Sequence, residues 1–202
     1  MELREALAQI AEIRQQVART ETFRGYRAAT VAFSGLVAVS AGVIQSSWIA
    51  DPRADAPAYL TLWCGAALVC LLATGIEMAV RARRTASPCA GELTWLAAEQ
   101  FLPSVVAGAL LTFAVARYAA DSLWMLPGLW AMLFSLGIFA SYRLLPRATF
   151  WVGAYYLLAS VLALSGGDAQ MALSPYMMGG IFGAGQFAAA AILYHSLERS
   201  HG

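Results

Sequence analysis

The residues best suited to chemistry in this chain are a glutamate and a glutamine inside an apolar stretch. Glu99 and Gln100 stand together, and no basic residue lies three or four positions from Glu99 to pair with it on a helix. Pro103 has no N–H group, so the carbonyl of Glu99, four residues earlier, loses its helical hydrogen bond. A carboxylate, an amide and a free carbonyl at one point could bind a proton or a cation. The alternative is a salt bridge with an arginine of another segment; the candidates are Arg24, Arg27, Arg143 and Arg147.

Other polar and aromatic residues lie deep in the apolar stretches. Gln186 follows a glycine-rich run, and its amide must find a hydrogen-bonding partner inside a bilayer. Gly179 and Gly183 form a GxxxG face that permits close helix packing, so a packing role for Gln186 competes with a ligand-lined cavity. The remaining binding candidates are the aromatic residues that lie deeper than the others: Trp130, Tyr155 and Tyr156.

Two charged groups lie near the ends of the apolar stretches. Glu77 precedes Arg81 by four residues, which is the favourable order for a helical ion pair, and we include Glu77 among the binding candidates. Arg24, Tyr26 and Arg27 come directly before the first apolar stretch. Arginine and aromatic side chains commonly anchor a helix at a membrane interface, but arginine also binds phosphate, so these three residues could contact a lipid headgroup or a partner.

Several chemistries are excluded or disfavoured. The chain has no lysine, which excludes Schiff-base cofactors and Walker-type phosphate binding. Its three cysteines form no Cys-x-x-Cys motif, and its two histidines lie near the C-terminus, so we expect no metal site and no other cofactor. The net charge of +1 gives no reason to expect nucleic-acid binding. With no hydrolase motif either, we expect no catalytic residue and no enzyme activity.

These residues are positioned by apolar segments that fill most of the chain. Of the 202 residues, 60% are hydrophobic and only 12% are charged, about half of the ~25% that is typical of a soluble domain. A membrane-spanning helix needs roughly 20 apolar residues. Six runs without Asp, Glu, Lys or Arg meet or approach that length: Ala28–Ala50, Ala56–Ile76, Gln100–Ala116, Ser122–Tyr142, Ala148–Gly167 and Ala169–Tyr194. The sequence therefore predicts an all-α integral membrane protein with six transmembrane helices in residues 23–199.

The arginines predict how these helices are oriented. Eleven arginines fall in the N-terminal segment, the two loops that follow the second and fourth runs, and the C-terminus, whereas only Arg53 and Arg117 fall on the other side. Cytoplasmic segments of membrane proteins carry the excess of basic residues. We therefore expect a multi-pass protein of the bacterial inner membrane with both termini in the cytoplasm. The bacterial origin is inferred from a composition without lysine or asparagine.

The first 22 residues form a separate element. Apolar residues recur at helical spacing on one side, and Arg4, Glu5, Glu12 and Arg19 occupy the other, which predicts a cytoplasmic amphipathic helix. The apolar positions are Leu3, Leu7, Ile10, Ile13 and Val17. This helix could pack on the bundle, on a second copy or on a partner protein, or it could lie on the membrane, whose surface-bound helices usually have a more basic polar face.

A weak internal repeat predicts the arrangement of the six helices. The segments that begin at Ser122 and Ser174 share serine, aromatic, methionine and glycine positions in register, and the match continues to Tyr142 and Tyr194. Both segments run in the same direction across the membrane. The pattern favours three helical hairpins, formed by helices 1–2, 3–4 and 5–6, that are related by parallel repetition.

Two functions follow from these observations as expectations. The first is the binding or transport of a small solute or ion through a polar site inside the bundle. The alternative is an accessory or regulatory role, in which the N-terminal helix and the arginine-rich cytoplasmic face dock a partner. In both cases the lipid bilayer surrounds the helices.

The predicted topology can be tested by labelling single cysteines in a chain whose Cys64, Cys70 and Cys89 have been replaced. Cysteines at Ala56 and Gly167 should react with a membrane-impermeant thiol reagent added to intact cells. Cysteines at Ala86 and Ser200 should react only after the membrane is permeabilised. Labelling of position 200 in intact cells would reverse the predicted orientation.

Overall fold

The protein is built of helices. The computed structural model describes residues 28–84, 88–166 and 169–198, and none of these residues forms a strand. The six long helices are α1 (Ala28–Trp48), α2 (Ala56–Arg84), α3 (Pro88–Tyr118), α4 (Leu126–Ser141), α5 (Thr149–Ser165) and α6 (Pro175–Leu193). Shorter helical turns flank them at Ala120–Met125, Tyr142–Leu144, Ala169–Ala172 and Tyr194–Glu198. The predicted amphipathic helix and the residues Arg24, Tyr26 and Arg27 lie outside the described residues.

The helices have the length and composition of membrane-spanning segments. Five are long and apolar enough to cross a bilayer: Ala28–Trp48, Ala56–Val80, Glu99–Tyr118, Ala120–Leu144 and Pro175–Ser196. The sixth apolar helix, α5, has 17 residues, at the lower limit of the roughly 17–25 residues needed. The chain is thus all-helical, as predicted, with apolar helices compatible with a membrane protein, while the sixth crossing stays a prediction.

Exposed aromatic rings mark the two ends of the bundle, which we call the Ala28 end and the Trp48 end after the first and last residues of α1. Trp48, Tyr118 and Tyr176 are 77–84% exposed at the Trp48 end, and Trp151 is 71% exposed at the Ala28 end. Tryptophan and tyrosine are enriched where a membrane meets water, because their rings are apolar and carry one polar group. Their positions are typical of two interfacial belts.

Four helix interfaces share one packing device, in which an aromatic ring of one helix lies on a glycine of its neighbour. A Cβ atom added to Gly137 of α4 would lie 2.7 Å from the ring of Phe101 on α3, and one added to Gly153 of α5 would lie 2.7 Å from Phe139 on α4. In the same way, Tyr156 of α5 occupies the space beside Gly185 of α6, and Phe187 of α6 lies on Gly35 of α1. The ring-on-glycine contacts therefore join α3, α4, α5, α6 and α1 in series.

The interface between α1 and α6 is the most extensive in the bundle. The backbones approach closely, since a Cβ atom on Gly42 would lie 3.5 Å from the Cα atom of Gly179 and 3.0 Å from the carbonyl oxygen of Pro175. Small residues permit such contacts between membrane helices. This interface connects the first predicted hairpin directly to the third; it does not test whether the hairpins are repeats.

Of the five candidate spans, those in α2 and α3 are the least buried. Only 11% of the residues in the spanning window of α2 are buried, and 6% in that of α3, against 44% in α1 and 39% in α6. A Cβ atom added to Gly65 or Gly75 of α2 would meet nothing within 4 Å among the described residues. These two helices therefore present most of their apolar surface outward.

Substitutions at two glycines of α6 test whether the ring-on-glycine contacts stabilise the bundle. Replacing Gly185 by alanine places a methyl group against the ring of Tyr156, 2.6 Å from its Cε2 atom, so we expect Gly185→Ala to lower the free energy of unfolding by about 1–3 kcal/mol. Gly180→Ala is the matched control, because a Cβ atom there meets nothing within 4 Å in the part of the chain that the structure describes and alanine favours a helix. Thermal unfolding of the purified protein in detergent measures both, and equal stabilities would contradict the packing role of Gly185.

Candidate functional site

The structure brings together only some of the residues predicted to bind a solute. Gln186, Tyr155 and Tyr156 meet at the interface of α5 and α6. The other candidates lie elsewhere: Trp130 bonds to α3, Glu99 and Gln100 stand near the Ala28 end of α3, and Glu77 is half-buried on α2 and interacts with a neighbour. Sequence reasoning therefore identified groups that belong to separate places in the bundle.

The hydroxyl groups of the two adjacent tyrosines of α5 form hydrogen bonds with other groups of the protein. The Tyr155 hydroxyl donates to the carbonyl oxygen of Ile181 at 3.2 Å, and the Tyr156 hydroxyl donates to that of Phe182 at 3.3 Å. The Gln186 side chain lies beside the Tyr156 hydroxyl. Tyr156 is fully buried, and the ring centroid of Phe134 lies 4.9 Å from its own. This group of residues holds α5 on α6, and whether Gln186 acts in packing or in ligand binding stays a prediction.

Trp130 has a comparable role between α4 and α3. Its indole Nε1–H donates to the hydroxyl of Thr112 at 2.8 Å, and that hydroxyl donates to the carbonyl oxygen of Gly108 at 2.7 Å. In lipid, each of these polar atoms needs such a partner, because water is absent. The bonds fix the register of α3 against α4.

Glu99 and Gln100 differ in their surroundings although they are adjacent. The side chain of Glu99 is exposed, whereas the Oε1 atom of Gln100 is buried and has no hydrogen-bonding partner among the described residues. Phe101 beside them packs on Gly137 and holds this part of α3 against α4. Pro103 lies inside α3, where it has no N–H group to donate to the carbonyl of Glu99. A joint site of the two side chains stays a prediction.

A polar cluster that the sequence reasoning missed lies near the Trp48 end, centred on Gln45. The amide Nε2 of Gln45 donates to the carbonyl oxygen of Leu173 at 2.7 Å, and its Oε1 accepts a 2.8 Å hydrogen bond from the indole of Trp63. Gln45 is fully buried. One side chain thus connects α1, α2 and the connection between α5 and α6.

Apolar and aromatic residues enclose this cluster. Tyr59, fully buried, packs with Trp63 and Leu173, and Trp124 and Trp130 pack against them. The hydroxyl of Tyr59 has no hydrogen-bonding partner among the described residues. The sequence did contain a signal for the cluster, because Gln45 is the sole amide side chain in the first apolar run, as Gln186 is one of the few in the last.

A groove of about 470 Å³ runs between α1 and α2. Its lining is apolar apart from the hydroxyls of Ser40 and Thr61, and Gly65 forms part of its floor. None of the residues predicted to bind a solute lines it. The expectation that Trp130, Tyr155 and Tyr156 line a pocket therefore finds no support in this groove.

Replacing Gln45 tests the importance of the missed cluster. Gln45→Leu leaves the indole N–H of Trp63 and the carbonyl of Leu173 without partners, so we expect a loss of about 1–3 kcal/mol in the free energy of unfolding. Adding Trp63→Phe removes one orphaned group, so the double variant should lose less than the sum of the single losses. Ser46→Ala is the control, since that exposed hydroxyl bonds only to its own helix. A Gln45→Leu variant as stable as the parent in thermal unfolding would show that the cluster contributes little.

Comparison with protein-family models, with curated proteins and with solved structures finds no match to this chain. No role is therefore carried to any residue from a relative.

Proposed function

We propose that this chain is an accessory or regulatory protein of the bacterial inner membrane that docks another membrane protein along α2 and α3. In this proposal six helices cross the membrane, both termini lie in the cytoplasm, and the connection between α2 and α3 is cytoplasmic. The arginine asymmetry supports that orientation. The arginine-rich cytoplasmic face then borders the docking helices, and Arg83 is exposed there on α2.

The observation that carries the proposal is the contrast in burial between helices of similar length. The spanning windows of α2 and α3 bury 11% and 6% of their residues, against 44% in α1 and 39% in both α4 and α6. Large apolar side chains face outward along both helices, among them Leu68, Leu72, Leu110 and Phe113. Helices that use little of their surface within one chain are suited to contact a helix of another chain.

The polar residues inside the bundle favour this function over solute binding. Gln45, Trp130, Tyr155 and Tyr156 direct their donors and acceptors to other groups of the chain. A binding site instead presents convergent polar groups to a ligand. Binding or transport of a solute or ion near Glu99 and Gln100 stays a prediction, with the unpartnered Oε1 atom of Gln100 as its main support.

Photo-crosslinking from within the membrane tests the docking role. A photoreactive amino acid at Leu72 of α2 or Leu110 of α3, which are 55% and 64% exposed, should form an adduct of one defined mass with another membrane protein in the native cells. Leu158 and Leu162 of α5 are matched controls, being 63% and 61% exposed on a helix outside the proposed face. The same adducts from all four positions, or adducts with lipid alone, would contradict the proposal, as would an adduct of twice the mass of the chain.

A further inference from the structure

An exposed acid interrupts an apolar stripe on α3. Leu96, Glu99, Leu102, Val106 and Leu110 follow one another at spacings of three or four residues, and all are exposed. Helix α3 begins at Pro88, whereas its apolar span begins at Glu99, so Leu96 and Glu99 lie where the helix enters the membrane. No basic side chain of the described residues pairs with Glu99. The stripe therefore carries the carboxylate of Glu99 and the apolar side chain of Leu96 at the start of the apolar span, where lipid tails cover a helix poorly.

The neighbouring helix extends this surface. Ile76 of α2 lies eight residues before Arg84, and Leu96 of α3 lies eight residues after Pro88, so the two are level on either side of the turn. Ile76 is 63% exposed, and Val80, one helical turn further along α2, is 38% exposed. We call these exposed residues of α2, together with Leu96 and Glu99 of α3, the α2–α3 entry surface.

The segment before α1 has the complementary pattern. On a helix of 100° per residue, Arg14 falls between Leu3 and Leu7, within the apolar stripe of residues 1–20. Arg4, Glu5, Glu12 and Arg19 lie on the opposite side, and Glu2 lies at the edge of the stripe, about 20° from Ile13. A surface that receives this stripe must therefore accept one cation among apolar side chains. The α2–α3 entry surface offers one acid in an apolar setting.

The length of the segment fits the distance to this surface. Arg14 precedes Ala28, the first residue of α1, by fourteen residues, which span about 21 Å at the helical rise of about 1.5 Å per residue. From α1, the chain passes to α2 and then to α3, each packed against the one before it. Two spacings between helix axes of about 8–10 Å amount to roughly 16–20 Å. Ala28 itself lies at the same end of the bundle as Ile76 and Leu96.

We propose that residues 1–20 dock by their apolar stripe on the α2–α3 entry surface of the same chain, with Arg14 paired to Glu99. The docking covers the end of the α2–α3 face nearest the cytoplasm in the predicted topology. It depends on the described surface and on the sequence pattern, and not on the proposed function. If α2 and α3 do receive a partner, the docked segment limits how much of that face is open to it.

Disulfide formation in native membranes tests the docking. In a chain whose native cysteines are replaced, Ile10→Cys combined with Leu96→Cys should oxidise to a disulfide within one chain, detected by gel mobility. Glu12→Cys combined with Leu96→Cys is the matched control, because Glu12 lies on the polar side of the segment. Equal oxidation of both pairs would overturn the proposed face of docking.

Charge reversal tests the ion pair in the same background. Arg14→Glu should reduce disulfide formation between the Ile10→Cys and Leu96→Cys positions at least several-fold, and adding Glu99→Arg should restore it. Arg19→Glu, on the opposite side, should leave it unchanged, and a single monodisperse peak in detergent confirms that each variant is folded.

Disulfide-linked dimers from chains with one cysteine each would assign the segment to a second copy instead. Loss of the intramolecular disulfide together with quenching of a label at Ile10→Cys by lipid-soluble probes would assign it to the membrane surface. Either result overturns the proposal, and neither alters the crosslinks expected from Leu72 and Leu110.

Discussion

Contact between an aromatic ring and a glycine on the next helix is the interaction on which this bundle depends. Lipid tails are as apolar as leucine side chains, so burying apolar surface between two helices gains little free energy within a membrane. Association then depends on close contact, and a ring on a bare backbone provides it over a wide area. Phe101, Phe139, Tyr156 and Phe187 repeat this contact from α3 to α1. Each ring fixes both the distance and the register of its helix pair.

The buried polar groups follow from the same solvent. A donor without an acceptor costs several kcal/mol in lipid, and Gln45, Trp130, Tyr155 and Tyr156 each donate to a carbonyl or hydroxyl of another segment. Gln45 and Trp130 meet this requirement with bonds of 2.7–2.8 Å. A polar residue inside an apolar segment is therefore a poor guide to function when its partner is unknown. In this bundle the carboxylate of Glu99, exposed at the membrane boundary, stands out more than the buried amides.

The sequence predicted well where the helices lie along the chain, and it predicted poorly which side chains meet between helices. The charge-free run Ala28–Ala50 corresponds to α1, and the run Ala148–Gly167 corresponds to α5, because a helix in lipid cannot carry charges through its middle. The run that ends at Ile76 proved too short, since α2 continues to Arg84: charged residues at a membrane boundary stay helical. The grouping of Gln186 with Tyr156, and the role of Gln45, depend on contacts between α5, α6 and α1. Such contacts are set by side-chain shape and not by periodicity, so a single sequence does not reveal them.

The pairing of α1 with α6 affects how the chain must be assembled. Synthesis proceeds from the N-terminus, so α1 enters the bilayer well before α6. During that interval Gln45 has no carbonyl of Leu173 to bond, and Gly35 and Gly42 lack the helix that packs on them. Until α6 is made, the early helices consequently remain in the membrane, or in the insertion machinery, with the amide of Gln45 unsatisfied and the glycines of α1 unpacked. The bundle is then completed when its last helix packs on its first. The nascent chain is most vulnerable to misassembly just before α6 arrives.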